Sequence, residues 1–325
     1  MIPNQWYIVL SSKQVRDKPV GVTRLGQKLV FWRDLSGKIA CLQDWCIHRG
    51  VALSKGKIVQ DRLKCPFHGF EFDPTGRVCI IPANGKSAPV PKAFQAQSYL
   101  TYEAHDFIWI WWGQNPPADL QPPRFFNDID DQLSYAEKLD PWNAHYSRVI
   151  ENQLDAVHIP FIHYNTIGRG NKTLVDGPGV EWLDADMFYL YTNNRVDDGS
   201  KPLKPSEFQP KSEPTQKLEF IFPNLWQNYI TDQLRVVVAF VPVDANHTIM
   251  YLRSYQKFMT VPLLRSLVNA LLMPFNVYVA HQDRVVVETQ EPKASAWRMD
   301  EQLIRGDHPI IEYRRRRAEL LGEIS

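Results

Sequence analysis

The spacing of apolar residues divides the chain into two parts with different predicted structures. In the N-terminal third, short runs rich in β-branched and aromatic residues alternate with turn sequences such as Asp-Leu-Ser-Gly at 34–37 and Asp-Pro-Thr-Gly at 73–76. Short strands joined by close turns are typical of a small antiparallel β domain. We predict strands at residues 6–10, 27–32, 39–43, 62–65, 70–72, 78–81 and 107–112.

The pattern changes after a proline-rich segment. Pro116, Pro117, Pro122 and Pro123 interrupt regular structure, and we predict that they separate a domain of residues 1–117 from a domain of residues 118–325. The second part mixes helical and extended patterns, so the chain is predicted to be an α+β protein in which a β domain precedes a sheet with helices against it. We predict helices at 142–158 and 275–291, extended runs at 188–192, 215–222, 234–241 and 248–255, and a surface loop at 197–214.

Composition narrows the possible functions only slightly. The 325 residues are 44% hydrophobic and 22% charged, and the net charge of +1 gives no indication of a nucleic-acid partner. Four cysteines are too few for a disulfide scaffold, and the N-terminus lacks the charged-then-apolar layout of a signal peptide, so we predict a cytoplasmic protein. The apolar stretch at 261–280 is interrupted by Arg265, Asn269, Pro274 and Asn276. It predicts a buried helix or a pocket wall, with peripheral membrane contact as the alternative.

Four side chains carry the most specific chemistry of the chain. Cys46 and His48 form one pair, and Cys65 and His68 form a second pair after sixteen intervening residues. Each pair offers one thiolate and one imidazole, which suits a Rieske [2Fe–2S] cluster, where two Cys hold one iron and two His hold the other. A Cys₂His₂ zinc site is the alternative, although zinc fingers place both cysteines in one pair and both histidines in the other.

Two glycines follow these pairs. Gly50 and Gly69 fall where tight loops must fold over a cluster and offer backbone N–H groups to its sulfurs. Cys41 and Cys79 lie outside the two pairs, which are complete without them.

A second group of polar residues lies at 152–163. On a helix, Asn152, Asp155 and His158 share one face, whereas His163 is rotated by about 140° from His158. Pro160 between the two histidines stops or bends the helix, and this break can return His163 towards His158. Two imidazoles and one carboxylate are the ligands of non-haem Fe(II) oxygenases. The alternative is a pair of histidines with a structural role.

The two motifs together resemble the catalytic subunit of Rieske-type non-haem iron oxygenases over almost the whole chain, with similarity to the single-subunit vanillate, dicamba and pheophorbide oxygenases. The resemblance implies a Rieske [2Fe–2S] domain followed by a helix-grip catalytic domain with a mononuclear Fe(II) and O₂ as co-substrate. It implies Asp283 as the third iron ligand with Glu288 as a neighbour, whereas a solvated helix charge is the alternative for Asp283. Asn152 is expected beside the iron ligands.

The resemblance also implies partners. Electrons come from a separate flavin reductase, directly or through a ferredoxin. In a ring of three subunits, Asp155 would join His158 of its own chain to His68 of the neighbouring chain, which gives Asp155 a role in electron transfer.

The sequence therefore predicts an oxygenase that hydroxylates or oxidatively demethylates a small molecule. Residues 180–280 mix Trp, Phe, Tyr, Asn and Met, which favours a mainly apolar ligand with a few polar anchors. A Rieske electron carrier without an active site is the first alternative, and the roughly two hundred additional residues argue against it. A structural zinc protein is the second.

Overall fold

The structure is a computed structural model that describes residues 1–114, 116–208 and 217–324. Its contacts divide the chain into two compact units. One is Pro3–Pro123, and the other is Arg124–Ser325 together with Met1–Ile2. Each unit contains a buried apolar core of its own.

The first unit is an all-β structure in the residues described. Its strands form three antiparallel sheets with the orders β1-β11-β10, β2-β3-β4-β9 and β5-β6-β7-β8. The seven strands predicted from the sequence are confirmed to within about two residues at their ends. The strands are β1 (Gln5–Ser11), β2 (Val20–Arg24), β3 (Gln27–Arg33), β4 (Ile39–Gln43), β5 (Lys57–Val59), β6 (Arg62–Lys64), β7 (Glu71–Phe72), β8 (Val78–Ile80), β9 (Ser98–Tyr99), β10 (Thr101–Ala104) and β11 (Phe107–Trp112).

Both predicted aspartate–glycine turns are present. Asp34 Oδ1 accepts hydrogen bonds from the backbone N–H groups of Ser36 and Lys38 in the β3–β4 turn. In the β7–β8 turn, Asp73 Oδ1 accepts hydrogen bonds from the backbone N–H groups of Thr75 and Arg77. Gly76, which closes this turn, has a φ of 88°. An aspartate that bonds its own backbone and a glycine at positive φ are what such turns require. The two Cys–His loops lie elsewhere. Cys46 and His48 are in the long β4–β5 connection, and Cys65 and His68 are in the β6–β7 hairpin.

In the described residues of the second unit, a seven-stranded antiparallel sheet with the strand order β12-β18-β17-β16-β15-β14-β13 is accompanied by four α-helices. Together with the first unit it confirms the predicted α+β class. Helix α3 packs against β12 and β18, while α1 packs against β17, α3 and α4. The elements are β12 (Ser134–Trp142), α1 (Tyr146–Leu154), α2 (Ile159–Ile162), β13 (Leu174–Trp182), β14 (Met187–Arg195), β15 (Lys217–Ile221), β16 (Leu225–Thr231), β17 (Leu234–Pro242), β18 (Thr248–Gln256), α3 (Pro262–Val287) and α4 (His308–Leu321).

The helix predicted at 142–158 is wrong at both ends. Trp142 ends a strand, and α1 begins only after His145, whose imidazole accepts a hydrogen bond from the N–H of Ser147 as an N-cap. The helix ends at Leu154 because Asp155 is extended, with a ψ of 125°. Asp155 Oδ1 accepts the N–H of Val157 at 2.6 Å, and this local bond replaces the next helical turn.

In the second unit, β12, β13 and β16 were not predicted, and in the first unit β2, β5, β9 and β10 were not predicted either. β13 contains Gly177, Pro178 and Gly179, which weaken any strand pattern. β12 carries charged residues on a buried face, where Glu137 and Arg253 of β18 pair at 2.8 Å with both side chains fully buried. Alternation of polar and apolar residues fails as a signal when both faces of a sheet are covered. The extended run predicted at 215–222 corresponds to β15, with residues 215 and 216 outside the described residues, as are 209–214 of the predicted loop.

Helix α3 is longer than the predicted helix at 275–291 and includes most of the apolar stretch at 261–280. Its inner side lines a cavity with Phe275, Asn276, Val279 and Ala280, so the pocket-wall interpretation is confirmed for this part of the helix. No helix within the described residues combines the length and the apolar character needed to cross a membrane.

Candidate metal centres

The two Cys–His loops of the first unit close in the same way. The N–H of Cys46 donates to the carbonyl of Val51, and the N–H of Cys65 donates to the carbonyl of Phe70, both at 2.8 Å. A return bond joins the glycine N–H to the cysteine carbonyl in each loop, at 2.8 Å from Gly50 and 3.2 Å from Gly69. Each loop therefore presents its cysteine and histidine from a short hydrogen-bonded turn.

Both glycines are required by this turn. Gly50 and Gly69 have φ values of 72° and 73°, a region that other residues seldom adopt. A Cβ on Gly50 would also lie 2.8 Å from the ring of Trp45. The predicted tight loops are present, but the glycine N–H groups bond to carbonyls. The backbone N–H groups of His48 and Arg49 interact with the sulfur of Cys46 instead.

The sulfurs and imidazoles lie on different sides of the loops. Cys46 and Cys65 are each 2% exposed within the core, whereas His48 is exposed and His68 is half-buried. The two imidazole rings have their centroids 4.6 Å apart, and His48 stacks on Phe70 at 4.9 Å. Burial raises the pKa of the Cys46 thiol to about 11; the N–H of His48 opposes this and the neighbouring Cys65 adds to it.

This arrangement fits a two-iron cluster better than a single zinc ion. A tetrahedral zinc ion would draw all four ligand atoms to within about 4 Å of one another, given bond lengths of about 2.0–2.3 Å. Among the described residues, only His158, His163 and Asp283 gather three ligand atoms within 4.8 Å. A buried sulfur pair with an outward imidazole pair matches the two unlike irons of a Rieske cluster.

The second centre joins residues from α2 and α3. Nε2 of His158 lies 3.3 Å from Nε2 of His163, and Oδ1 of Asp283 lies 3.4 Å and 2.9 Å from these two nitrogens. His163 and Asp283 are 1% and 3% exposed. The structure thus brings together the three residues for which the sequence predicts iron binding.

The two histidines reach this point from the ends of a single helical turn. His158 is the N-cap of α2 and His163 is its C-cap. The rotation of about 140° expected between them on one continuous helix therefore does not apply. Pro160 lies in the first turn of α2, where its missing N–H costs no hydrogen bond. It therefore begins α2, and the expectation that it ends or bends the preceding helix is wrong, because the chain already leaves α1 at Asp155.

The polar atoms at this point fit a metal ion. Oδ1 of Asp283 is buried and has no hydrogen-bond partner among the described residues, although it lies 2.9 Å from His163 Nε2. An oxygen and two nitrogens that converge, with the buried oxygen receiving no hydrogen bond, are arranged as ligands to a common ion. Two imidazoles and a carboxylate are the donor set of non-haem Fe(II) sites.

Three neighbouring residues that sequence reasoning missed hold these side chains. Oε1 of Gln282 lies 3.1 Å from Nδ1 of His163 and accepts a hydrogen bond from the hydroxyl of Thr166 at 2.8 Å. Gln153 Nε2 donates to Oδ2 of Asp283 at 3.5 Å. The only available signal was adjacency, since Gln282 precedes Asp283 and Gln153 follows Asn152. Such outer contacts fix the ring orientation of a metal-bound histidine.

Asp155 and Asn152 lie beside the second centre as predicted, and Glu288 lies outside the ligand group. Oδ2 of Asp155 lies 3.4 Å from Nδ1 of His158, but this nitrogen has no hydrogen-bond partner among the described residues. A shared helical face does not explain their proximity, since both residues lie outside α1 and α2 proper. Asn152 and Asp155 line the same cavity as the two histidines. Glu288 lies outside the ligand group and accepts hydrogen bonds from the N–H of Asn143 and from Arg284, each at 2.8 Å.

Charges around the second centre shift one another's pKa values. Burial disfavours the charged form of His158, yet Asp155 and Asp283 outweigh it and raise the pKa of His158 to about 9. Burial likewise favours neutral Asp283, but the two imidazoles lower its pKa below the ordinary value. A metal ion bound here would replace the proton of His158 as the positive charge between the carboxylates.

A cavity of about 460 Å³ adjoins the second centre. Its walls come from the end of α1, from α3 and from one face of the sheet, so the predicted pocket at 180–280 is extended by residues 152–172 and by Asp283. The strands contribute the aliphatic residues Leu190, Leu218, Ile230, Val236, Val238, Met250 and Leu252, together with Trp226 and the polar residues Tyr191, Thr192, Asn193, Asn194 and Asn228. A cavity of this size and character suits a small apolar molecule.

Two family models match the chain. The model of the Rieske [2Fe-2S] domain matches residues 5–99, and the model of the vanillate O-demethylase oxygenase C-terminal domain matches residues 142–323, more than half of the chain. The first match contains both Cys–His loops, and the second contains His158, His163 and Asp283.

Individual proteins are similar over shorter stretches. Chlorophyllide a oxygenase of Chlamydomonas reinhardtii is 34% identical over 168 residues, 51% of this chain and 25% of that protein. The vanillate O-demethylase oxygenase subunit of Pseudomonas sp. (strain HR199 / DSM 7063) is 30% identical over 201 residues, 61% of this chain and 54% of that protein. The chain thus matches between a quarter and about half of the length of these relatives. The solved structure of Pseudomonas putida CBB5 NdmA shares the fold, with a TM-score of 0.77, 21% identity and coverage of 96% of this chain and 88% of that chain.

Proposed function

Because the chain belongs to the family of Rieske [2Fe–2S] proteins that carry the vanillate O-demethylase oxygenase C-terminal domain, we propose that it is an oxygenase acting on a mainly apolar small molecule, aromatic or polycyclic. It uses O₂ and electrons from a separate NAD(P)H-dependent reductase to hydroxylate or oxidatively demethylate that molecule. The single observation that carries this proposal is the convergence of His158, His163 and Asp283 beside a cavity that combines an aliphatic wall with polar side chains.

The residues of the two centres have separate tasks. Cys46, His48, Cys65 and His68 hold the [2Fe–2S] cluster, with the imidazoles of the exposed His48 and the half-buried His68 on the side where electrons arrive and leave. His158, His163 and Asp283 hold a mononuclear Fe(II), which supplies O₂ activation when bound.

The chain's other residues position these ligands. Gln282 orients His163, Gln153 holds the outer oxygen of Asp283, and Asn152 lines the cavity next to them. The aliphatic wall binds the substrate and excludes water from the reacting side. These are the tasks that a protein performs around a metal that carries the redox chemistry.

The partners follow from the same assignment. The proposed electron donor is a ferredoxin, a flavin reductase, or both. We place the active form in a homotrimer, where Asp155 links His158 to His68 of the next subunit. The 3.4 Å separation between Asp155 and His158 supports the half of this link that lies within one chain.

The domain assignment and the cellular location are parts of the same proposal. Residues 1–117 form the Rieske domain and 118–325 the catalytic domain; the change of compact unit after Pro123, within the proline-rich segment, supports a boundary there. None of the four cysteines is in a disulfide, which supports a reducing compartment such as the cytoplasm.

Iron content tests the proposal against its main alternative, an electron carrier without oxygenase activity. The oxygenase requires one iron in addition to the two of the cluster, and a carrier requires only those two. The reduced protein should also convert candidate aromatic, N-methyl or O-methyl compounds in a single turnover, with incorporation of isotope from labelled O₂. A fully loaded cluster without further bound iron, and no isotope in any product, would establish the carrier instead.

A further inference from the structure

One row of the sheet face that lines the cavity contains an unexpected polar residue. Leu190, Leu218, Asn228 and Val236 lie directly opposite one another on the adjacent strands β14, β15, β16 and β17. All four side chains line the cavity. Three are aliphatic, and the fourth is an amide.

The amide oxygen of Asn228 lacks a hydrogen-bond donor within the described residues. Its Oδ1 is buried and has no hydrogen-bond partner among the described residues. Two residues earlier on the same face of β16, Trp226 also lines the cavity, and its Nε1–H is likewise buried without a partner in the described part of the chain. Trp226 is only 5% exposed, so solvent does not satisfy it.

The opposite face of β16 carries a buried amide outside the cavity whose N–H group is paired within the fold. Gln227, between these two residues, is fully buried, and its Nε2 donates to Asp128 at 3.0 Å and to Glu219. The fold thus supplies acceptors for the N–H group of this amide, whereas its Oε1 is buried without a partner among the described residues. An unpaired buried polar group lowers stability, and its retention in a binding cavity indicates a partner from outside the chain.

Resting on the proposed function, we propose that Asn228 and Trp226 determine substrate specificity by binding a neutral polar edge of an otherwise apolar molecule. Trp226 donates to a carbonyl-type acceptor, and Oδ1 of Asn228 accepts from an adjacent N–H or O–H. Side chains two apart on a strand are about 7 Å apart at their bases, so one amide-like or lactam-like edge can contact both. The substrate class is therefore a small, mainly apolar ring compound with a lactam, amide or similar donor–acceptor edge.

The test measures binding to the full-length, cluster-containing protein without O₂ or reductase. Oxindole carries the lactam edge, and N-methyloxindole lacks its N–H donor. Calorimetric titration should show roughly tenfold tighter binding of oxindole, the difference expected for one hydrogen bond to an otherwise unpaired group. In Asn228→Leu, which completes the aliphatic row, the two compounds should bind equally.

Thermal unfolding provides a second readout with a matched control. Asn228→Leu removes an unpaired polar group, so its Tm should stay the same or rise. Asn224 lies four residues earlier and is also buried, but its Nδ2 donates to the carbonyl of Phe240 at 3.1 Å. Asn224→Leu should lower the Tm by at least about 2 °C, since it breaks a satisfied buried hydrogen bond.

Several outcomes would overturn the inference. These are equal binding of both compounds by the wild type, no binding of oxindole, selectivity that survives Asn228→Leu, or a Tm loss in Asn228→Leu as large as in Asn224→Leu. Preferential binding of phenylacetate that depends on Lys172, a cationic residue of the same cavity, would replace it with ionic recognition. The binding test needs no turnover, so its result is independent of the proposed function. Tighter binding of oxindole than of N-methyloxindole by a protein that holds no iron beyond its cluster would contradict only the oxygenase proposal. Turnover by a protein that binds the two compounds equally would contradict only this inference.

Discussion

His158 and His163 reach a common point from the two ends of a one-turn helix, and Asp283 meets them from a helix more than a hundred residues later. At the scale of single residues, the site depends on side chains whose closest polar contacts are one another. Asp283 is expected to contribute most to metal binding, because its Oδ1 is buried and has no hydrogen-bond partner among the described residues. Removing a single ligand from such a set weakens metal binding far more than removing a nearby surface charge.

Asp283→Ala should therefore strip the mononuclear iron and leave the cluster intact. The matched control is Glu288→Ala on the same helix, whose partners are Asn143 and Arg284 rather than the histidines. Metal analysis should show loss of about one iron per chain only in the first variant, with the visible spectrum of the cluster unchanged in both. The reverse pattern would move the third ligand to Glu288.

Cys46→Ala should abolish the cluster while the second centre still binds iron. Cys46 is buried in the core of the first unit, beside Cys65, and a cluster cannot hold its inner iron with one thiolate missing. Cys79→Ala is the control, since Cys79 is a cysteine outside both loops whose thiol contacts Asp73. Absorption and circular dichroism in the visible range should disappear in Cys46→Ala alone; a brown Cys46→Ala protein with full turnover would refute the assignment.

At the scale of elements, the start of α1 is set by a titratable cap. His145 is 7% exposed and accepts the N–H of Ser147 through its ring nitrogen, which requires a neutral imidazole. Burial lowers the pKa of His145 to about 4, and the positive charges of Arg317, the N-terminus and Arg148 act in the same direction. The helix that precedes His158 and His163 is thus capped best when His145 is uncharged.

Acidification should loosen the second unit through this cap. The unfolded state binds a proton near pH 6.5 and the folded state only near pH 4, so the free energy of unfolding falls as the pH decreases between these values. The loss is on the order of 3 kcal/mol for this one group. His145→Asn keeps a capping acceptor without titrating. Thermal unfolding at pH 7 and pH 5 should show a smaller drop of Tm in the variant; equal drops would assign the acid sensitivity to other groups.

At the scale of the whole molecule, two compact units each carry one centre. The proposed trimer makes each centre depend on a neighbouring subunit, through Asp155 beside His158 and through the imidazoles of the first unit. Mutation of single chains cannot separate this route from transfer within a chain, whereas mixtures of defective chains can.

A chain with Cys46→Ala has no cluster, and a chain with His158→Ala has no mononuclear iron, so oligomers of either variant alone should be inactive. Co-expressed and purified as verified mixed oligomers, they should recover part of the wild-type turnover, since a good cluster then faces a good iron across a subunit boundary. Asp155→Ala in all chains should keep both metals but nearly stop electron transfer. No recovery in mixed oligomers, or a fully active monomer, would rule out the cross-subunit route.

The sequence by itself determined those features that are encoded locally. The Cys–His pairs with their glycines, the aspartate–glycine turns and seven of the described strands of the first unit depend on neighbouring residues and were predicted, whereas β2, β5, β9 and β10 were not. The pairing of His158 with His163 was also predictable as a motif, although the reason given for it, a bent helix, was wrong, because an aspartate turn at Asp155 ends the helix earlier.

Tertiary structure alone decided the rest, because the contacts concerned join residues far apart in the chain. Gln282 meets His163 over a separation of 119 residues. Asn228 becomes notable only when strand register sets it in an aliphatic row beside the cavity. A polar residue in a strand has the same local pattern whether its amide N–H group bonds to the fold, as in Gln227, or its amide oxygen lies beside a cavity without a partner among the described residues, as in Asn228. Which of the two occurs depends on what the folded chain places opposite it, and a one-dimensional pattern does not contain that information.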